Sequence, residues 1–275
     1  MTPSSEPVSV PSTERLMGRL PAFSPIALRL MGIIFDEDVS FKEVARLISL
    51  DPAISGQVLK LANSGFYGRR SSVHSILHAI ALVGIKTLSG IVVTAAIWKA
   101  LPRRGSPFMT DWWRHSVASA LISAHEAKQN LNLDSAYTAS LLHGIGQLAL
   151  AQYAEDYNAG FLAAYSSGSD LLEFEREAFG TDHAELAGRI LEHWKIPKVI
   201  QEAVASHHAA DCPSRLGTAV QTSCIAAEYM GFGKCGCHGV IAAGKLPPGV
   251  VTLIETKDFL EGLAQQVNGI ECSLI

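Results

Sequence analysis

Apolar residues along most of the chain recur at three- and four-residue intervals, the period expected for helices that bury one face. Ile54, Val58 and Leu61 form one such stripe. No stretch combines sustained apolar–polar alternation with enrichment in β-branched residues, which would indicate strands. The pattern therefore predicts an all-α protein with a multi-helix bundle.

Local signals mark where several helices start. A helix is predicted from Pro25, and Asp51 followed by Pro52 predicts an N-cap and a first helical residue. Ser40 and Glu43 have the spacing of a capping box, in which each side chain accepts a hydrogen bond from a free backbone N–H group. Further helices are predicted at 41–48, 75–83, 85–101, 112–128, 135–153, 157–166, 171–178, 182 to near 194, 197–208, 218–229 and 257–267.

A long apolar segment raises the question of a membrane span. Residues 76–101 are mostly apolar and could reach across a bilayer. However, Lys86 lies in the middle, where a lysine costs about 2.5–3.5 kcal/mol even on a lenient scale. Gly84 also interrupts the helical pattern. We therefore predict two buried helices joined at Gly84 and no membrane span.

Composition narrows the possible functions. Hydrophobic residues make up 48% of the chain and charged residues 17%, so many helices must be buried on several sides. The net charge of −4 provides no basic surface for a polyanion. The helix at 85–101 is too apolar to read DNA in the manner of a recognition helix. No DNA partner is expected.

The ends and the cysteines indicate compartment and organisation. The N-terminus has no basic start followed by an apolar run, so it does not resemble a signal peptide, and its Pro and Ser content predicts a disordered tail over 1–14. Five cysteines form no paired framework, which favours a reduced, cytoplasmic compartment. Pro and Gly within 101–107 mark a boundary. We expect helical parts at 15–101 and 108–230, followed by a C-terminal extension at 231–275.

Five of the ten histidines are spaced as if they served one site, namely His115, His143, His183, His207 and His208. Helices in a bundle can direct such residues at one interior point, and imidazole is a common metal ligand. A cluster would indicate a divalent metal ion and metal-assisted hydrolysis. A single histidine on a helix is more often a packed core residue. Neighbours on a helix point about 100° apart, so only one of His207 and His208 is expected to face inward.

The motifs around these histidines carry a family resemblance. Those of the second half are Trp113-Arg114-His115-Ser116, Leu141-Leu142-His143-Gly144-Ile145-Gly146-Gln147, Phe179-Gly180-Thr181-Asp182-His183-Ala184-Glu185 and His207-His208. They resemble the HD superfamily of phosphohydrolases. The first half contains Leu20-Pro21, Asp51-Pro52-Ala53, Leu61-Ala62-Asn63-Ser64, Phe66-Tyr67-Gly68 and Ala79-Ile80-Ala81-Leu82-Val83-Gly84. It is similar to the HDOD family, the HD-related output domain of bacterial signalling proteins. The resemblance implies an all-α fold of two helical parts, the second HD-like, and a regulatory role.

Three departures from the HD pattern remove residues that catalysis implies. Catalytic HD proteins have His-Asp where this chain has His143-Gly144, and that aspartate is a metal ligand. A basic residue implied to contact phosphate aligns with Gln147, and a final aspartate aligns with Ser223-Cys224. Without carboxylates, the histidines suit a soft, nitrogen-ligated metal such as zinc. They suit hard ions poorly, and also two close cations that repel each other.

Two further segments have structural interpretations. Leu141 to Gln147 is typical of a core helix in which Gly144 and Gly146 allow close packing. Cys235-Gly236-Cys237-His238 has no second half at zinc-finger spacing, and it is predicted to be a surface loop with free thiols.

The sequence thus predicts a non-catalytic signalling domain with a degenerate metal site. No catalytic or cofactor-binding residue is assigned and no cofactor is expected, although the five histidines are vestigial candidates for a divalent metal ion. The domain would act through contacts with other signalling proteins, or through a ligand such as a nucleotide second messenger in the relic HD cleft. The alternative is a metal-dependent phosphohydrolase or phosphodiesterase that uses the remaining histidines.

Overall fold

The computed structural model describes residues 11–18, 24–33, 38–63, 73–100, 107–129, 135–154, 157–237, 241, 244, 246–255 and 257–274. Throughout these residues the backbone forms helices joined by turns, with no strand. The all-α class and the helical, HD-like architecture predicted from the sequence are confirmed.

Within the described ranges, five helices precede residue 101: α1 (Thr13–Met17), α2 (Pro25–Ile33), α3 (Phe41–Ser49), α4 (Pro52–Ala62) and α5 (Ile76–Ala100). Ten follow: α6 (Pro107–Gln129), α7 (Ala136–Leu142), α8 (Ile145–Tyr153), α9 (Tyr157–Ser167), α10 (Leu171–Phe179), α11 (His183–His193), α12 (Lys198–Ala205), α13 (Arg215–Tyr229), α14 (Pro248–Ile254) and α15 (Lys257–Leu274).

The start of the chain contains a short helix. Helix α1 begins at Thr13, inside the tail predicted for 1–14, and Leu16 is fully buried. Residues 1–10 of that tail lie outside the described residues. The predicted boundary at 101–107 also lies outside them, except for Pro107, which begins α6.

Of the predicted helix starts, the one at Asp51 is confirmed. Its carboxylate accepts hydrogen bonds from the backbone N–H groups of Ala53 and Ile54 at 3.0 and 3.1 Å. It also pairs with the Lys99 ammonium of α5 at 2.8 Å, which ties α4 to α5. The capping box at Ser40 is wrong, because the Ser40 side chain makes no capping hydrogen bond.

The glutamate of that box has a different partner. Glu43 extends instead toward Arg29 of α2, with its carboxylate oxygen 3.6 Å from the guanidinium.

The predicted break at Gly84 is confirmed. Its backbone has φ +80° and ψ 160°, a conformation that favours glycine, and it separates the two helical stretches within α5. The second stretch is apolar and buried, with Leu88, Ile91 and Ile97 almost inaccessible. None of the described helices is long and apolar enough to cross a membrane.

The second half of the fold is built around α6. This helix packs against α7 and α13, while α11 packs against α8 and α12. The predicted helix 135–153 is divided into α7 and α8 at His143 and Gly144. Beside the break, the Trp112 indole N–H donates a hydrogen bond to the Gly144 carbonyl at 2.7 Å. The site described next forms where α6, α7, α11 and α13 meet.

Smaller differences concern the C-terminal third. Helix α13 begins at Arg215 rather than 218, α15 continues to Leu274, and α14 was not predicted. The salt bridge between Arg114 of α6 and Glu271 of α15, at 3.1 Å, joins the extension to the second helical part.

Candidate metal centre

All five predicted histidines converge on one buried region. His115 comes from the middle of α6, His143 caps α7 and His183 begins α11. The Nε2 atoms of His115 and His143 are 3.2 Å apart. The ring centroids of His143 and His207 are 5.0 Å apart, and those of His183 and His207 are 5.5 Å apart.

His207 and His208 both contribute, against the expectation that only one would face inward. The expectation assumed a helix, but α12 ends at Ala205, and the two residues lie in the turn that follows. Their rings lie with centroids 4.1 Å apart. The His208 Nε2 atom is 3.0 Å from that of His183.

Three cysteines complete the cluster, and sequence reasoning missed their role. The Cys224 Sγ atom on α13 lies 3.6 Å from His115 Nε2, and Cys235 Sγ lies 3.5 Å from His143 Nε2. The Sγ atoms of Cys224 and Cys237 are 3.5 Å apart. The predicted surface loop is wrong, because Cys235 and Cys237 are buried, although both are free thiols as predicted.

The segment 231–237 is held against the cluster by its backbone. One carboxylate oxygen of Glu228 accepts hydrogen bonds from the N–H groups of Cys235 and Cys237, at 2.7 and 3.0 Å. Gly233 has φ +92°, and a Cβ there would lie 2.5 Å from the Asp111 carbonyl oxygen. Gly233 and Gly236, on either side of Cys235, were the sequence signal that could have indicated this placement, because glycine permits the tight backbone path beside α6.

Three of the imidazoles are fixed in the orientation of metal ligands. The Nδ1 atoms of His143 and His207 donate to the carbonyl oxygens of Ser140 and Val204, at 2.5 and 2.6 Å. The Nδ1 atom of His183 lies 2.7 Å from the Glu175 carboxylate. With the proton on Nδ1, the Nε2 atoms of His143 and His207 each present a lone pair, as in carboxylate–histidine–metal arrangements, whereas His183 would release its Nε2 proton to a bound metal ion.

The charges around the cluster are unusual for a core. Glu175 is fully buried, and it accepts hydrogen bonds from the Tyr157 hydroxyl and the His183 backbone N–H. Burial disfavours the charged form of His183, but the Glu175 carboxylate and Cys235 together outweigh it and hold the pKa of His183 well above its usual value. Burial lowers the pKa of both His143 and His207.

The surroundings also shift the pKa values of the Cys235 and Cys224 thiols in opposite directions. Hydrogen bonding by Cys224, with the adjoining imidazoles, lowers the pKa of Cys235 well below its usual range despite burial. Burial raises the pKa of Cys224. Cys235 is therefore the thiol of this pair best prepared to act as a thiolate.

Three overlapping sets of side chains have ligand atoms within 4.8 Å of one another. One set contains His115, His143, Cys224 and Cys235; another contains His183, His207, His208 and Cys235; the third contains His208, Cys224 and Cys237. Each set could hold a metal ion. The donors are nitrogen and sulfur, which suit zinc and other soft transition metals.

The positions at which HD catalysis would need acidic or basic groups are occupied differently. A Cβ on Gly144 would lie 2.8 Å from the Trp112 indole nitrogen. Gln147 is buried, with no hydrogen-bond partner for its side-chain nitrogen among the described residues. The Ser223 hydroxyl pairs with that of Ser140 at 3.0 Å, while Cys224 beside it faces the cluster.

The fold and this histidine-rich cleft define an HD-related helical protein. A family model described as the HDOD domain matches residues 20–210. The chain belongs to the HDOD family. Cys224, Cys235 and Cys237 lie beyond the matched residues.

Known proteins share the fold at low identity. An uncharacterized protein of Treponema pallidum is 22% identical over 194 residues, which are 69% of this chain and 37% of that protein. The chain thus spans just over a third of that relative's length. An HDOD domain protein of unknown function from Geobacter sulfurreducens has a TM-score of 0.74 and 20% identity, covering 96% of this chain and 97% of that one.

A second solved structure, from Shewanella amazonensis, is described as a candidate phosphohydrolase. It has a TM-score of 0.73 and 24% identity, covering 97% of this chain and 99% of that one. A candidate signal-transduction protein from Marinobacter aquaeolei has a TM-score of 0.67 and 20% identity, covering 97% of this chain and 62% of that one. At these identities the similarity shows the fold alone.

Proposed function

We propose that this chain is a regulatory HDOD domain that does not hydrolyse phosphate esters and whose HD-like cleft holds a metal ion as a structural or sensed ligand. The supporting observation is at residue 144, where a Cβ would meet Trp112 at 2.8 Å. An aspartate there would have to displace Trp112 and its 2.7 Å hydrogen bond to the Gly144 carbonyl. The place of the catalytic carboxylate is used for packing.

The burial of the cluster supports the same proposal. A hydrolytic metal ion keeps one coordination position for water or substrate, whereas a structural ion is closed off by four protein ligands. Among the five histidines and three cysteines of the cluster, only His208 is partly exposed. The donors are numerous enough to complete a closed site without water.

Signal output would run through contacts with other signalling proteins in the cytoplasm. Phe41, Leu50 and Leu77 of the N-terminal half are each more than half exposed. Such side chains gain most from burial against a partner. The free state of all five cysteines fits a reducing compartment. A nucleotide second messenger bound in the cleft is the alternative input, and it would raise the melting temperature of the protein.

A metal-dependent phosphohydrolase or phosphodiesterase is the second candidate function. The convergence of His115, His143, His183 and His207 favours it, because separately packed histidines could not support metal-assisted hydrolysis. It would require an ion that one of the cluster side chains leaves open to water.

A hydrolysis assay separates the two functions. Protein purified without chelator would be loaded in turn with zinc, manganese, magnesium and ferrous iron, and assayed with bis(p-nitrophenyl) phosphate and cyclic dinucleotides. We expect no turnover above the protein-free background with any metal. Metal-dependent turnover that disappears in His143→Ala but persists in His193→Ala would overturn the proposal. His193 is the matched control, because it lies exposed at the end of α11.

A further inference from the structure

Cys235 lies at the junction of two complete sets of metal ligands. Its Sγ atom belongs to the set with His115, His143 and Cys224, and equally to the set with His183, His207 and His208. Apart from Cys235, the two sets share no residue. Each therefore supplies three ligands of its own and one in common.

The spacing of the donor atoms matches tetrahedral coordination. With metal–nitrogen bonds of about 2.0–2.1 Å and metal–sulfur bonds of about 2.3 Å, neighbouring ligands lie about 3.3 Å apart for two nitrogens and about 3.5 Å apart for nitrogen and sulfur. In the first set, the distance between His115 and His143 is 3.2 Å and that between Cys235 and His143 is 3.5 Å. Cys224 lies 3.6 Å from His115.

The donor atoms of the second set are also placed to bind a metal ion. The Nε2 atoms of His183 and His208 are 3.0 Å apart, close to the edge of a tetrahedron. The Nε2 atom of His207 is buried with no hydrogen-bond partner among the described residues. Because its Nδ1 donates to the Val204 carbonyl, this Nε2 carries a lone pair that a metal ion would satisfy.

Thiolates and buried carboxylates also supply negative charge that offsets the repulsion between two cations. Histidines alone neutralise none of the charge on two divalent ions. Two thiolates from Cys224 and Cys235 neutralise two units, and the buried carboxylates of Glu175 and Glu228 offset the other two. A bridging thiolate also places negative charge directly between the two cations.

We propose that Cys235 bridges two soft divalent metal ions, of which zinc fits best. One ion is bound by His115, His143 and Cys224, and the other by His183, His207 and His208. The proposal rests on the retention of metal in the cleft proposed above. Cys237 belongs to neither of these two sets; it is grouped with His208 and Cys224 in the third set.

Zinc content and its dependence on single thiols test the proposal. The full chain would be expressed with zinc, purified without chelator, and analysed for zinc and sulfur in the same sample. We expect two zinc ions per chain in the unaltered protein. After exposure to a chromophoric chelator at a concentration that the unaltered protein withstands, we expect Cys224→Ser to release one ion and Cys235→Ser to release both. The exposed Cys272→Ser is the control, and it should keep two ions.

Cobalt substitution supplies a readout that does not depend on affinity. Cobalt(II) bound to thiolate gives a charge-transfer absorption in the near ultraviolet. The band should reach its full height at two equivalents in the unaltered protein, and it should be weakened most by Cys235→Ser. Far-ultraviolet circular dichroism confirms that each variant is folded. If Cys235→Ser is unfolded, His208→Ala provides the equivalent test, since it should lose only the second ion.

The outcomes separate this proposal from the proposed function. One ion per chain, or two ions retained by folded Cys235→Ser, overturns the bridge and leaves the regulatory role standing. No bound zinc or cobalt overturns metal retention and the bridge together. Two ions with metal-dependent hydrolysis overturn the non-hydrolytic role and leave the bridge standing.

Discussion

Gly146 sits at the closest approach between α8 and α11, and its replacement by alanine tests how tightly the candidate metal centre is built. A Cβ at residue 146 would lie 1.9 Å from the carbonyl oxygen of His183 and 3.0 Å from the backbone nitrogen of Ala187. Both contacts are with backbone atoms. A change of side-chain rotamer therefore cannot relieve them, and the two helices must move apart.

The size of the effect follows from that distance. Carbon and carbonyl oxygen approach to about 3.3 Å at the closest, so the separation must increase by about 1.4 Å. Overpacking of a core lowers the unfolding free energy by about 1–3 kcal/mol. The higher helix propensity of alanine raises it by up to about 1 kcal/mol. Because the obstacle is backbone, we place the net loss in unfolding free energy at about 2 kcal/mol. For a chain of this length, that is roughly 4–8 °C in melting temperature.

Thermal unfolding followed by circular dichroism measures this loss. Gly56→Ala is the matched control, because Gly56 is also helical and a Cβ there meets nothing within 4 Å. The control should be neutral or stabilising by up to about 1 kcal/mol. Zinc content measured below the unfolding transition should also fall in Gly146→Ala, since the displaced backbone carries His183. Equal stability and zinc content in Gly146→Ala and the unaltered protein would refute the close packing described here.

Three further predictions concern single carboxylates. Glu175→Gln should weaken zinc binding by about 10–100-fold, because the carboxylate orients His183; chelator competition measures it, and Tyr157→Phe should have a smaller effect. Burial raises the pKa of Glu126 to about 7 from 4.5. The folded state therefore binds the extra proton, and unfolding free energy should fall by about 1 kcal/mol as pH rises from about 4.5 to 7, after discounting for partial exposure. Urea titrations across that range should show no such fall in Glu126→Gln. Asp51→Ala should lower unfolding free energy by about 2 kcal/mol through loss of the cap and of the Lys99 pair. Asp51→Asn keeps the cap and loses only the Lys99 pair, so it should cost less, and equal losses would show that the cap contributes nothing.

Features determined by neighbouring residues could be predicted from the sequence. Asp51 caps α4 because the carboxylate and the N–H groups it accepts from are within three residues. Gly84 interrupts α5 because its own backbone conformation excludes a helix. Ser40 and Glu43 had the right local spacing, but Ser40 makes no capping hydrogen bond and the Glu43 carboxylate faces Arg29 of another helix.

The histidines of the candidate site could be predicted from the sequence, whereas the cysteines could not, because their placement depends on contacts with distant residues. The histidines stand in motifs whose order suggested convergence, and the structure brings all five together. The thiols of Cys235 and Cys237 depend on Glu228 and on the path past Asp111 and Leu171, none of which has a local signature. Predicting that both His207 and His208 reach the cluster would have required locating the end of α12 to within two residues. Sequence periodicity does not resolve helix ends that finely.

The position of Cys235 in the chain gives the cluster an order of assembly during synthesis. His208 is the last histidine of the cluster to be made, and Cys235 follows it by 27 residues. At a synthesis rate of about 5–20 residues per second, the shared thiol is made roughly one to five seconds after His208. A nascent chain in that interval would hold a metal ion through imidazoles and, once it is made, Cys224, but without the shared thiol. The arrival of residues 231–237 would then convert a provisional site into a permanent one, so the last step in building the centre would be the closing of the segment anchored by Glu228.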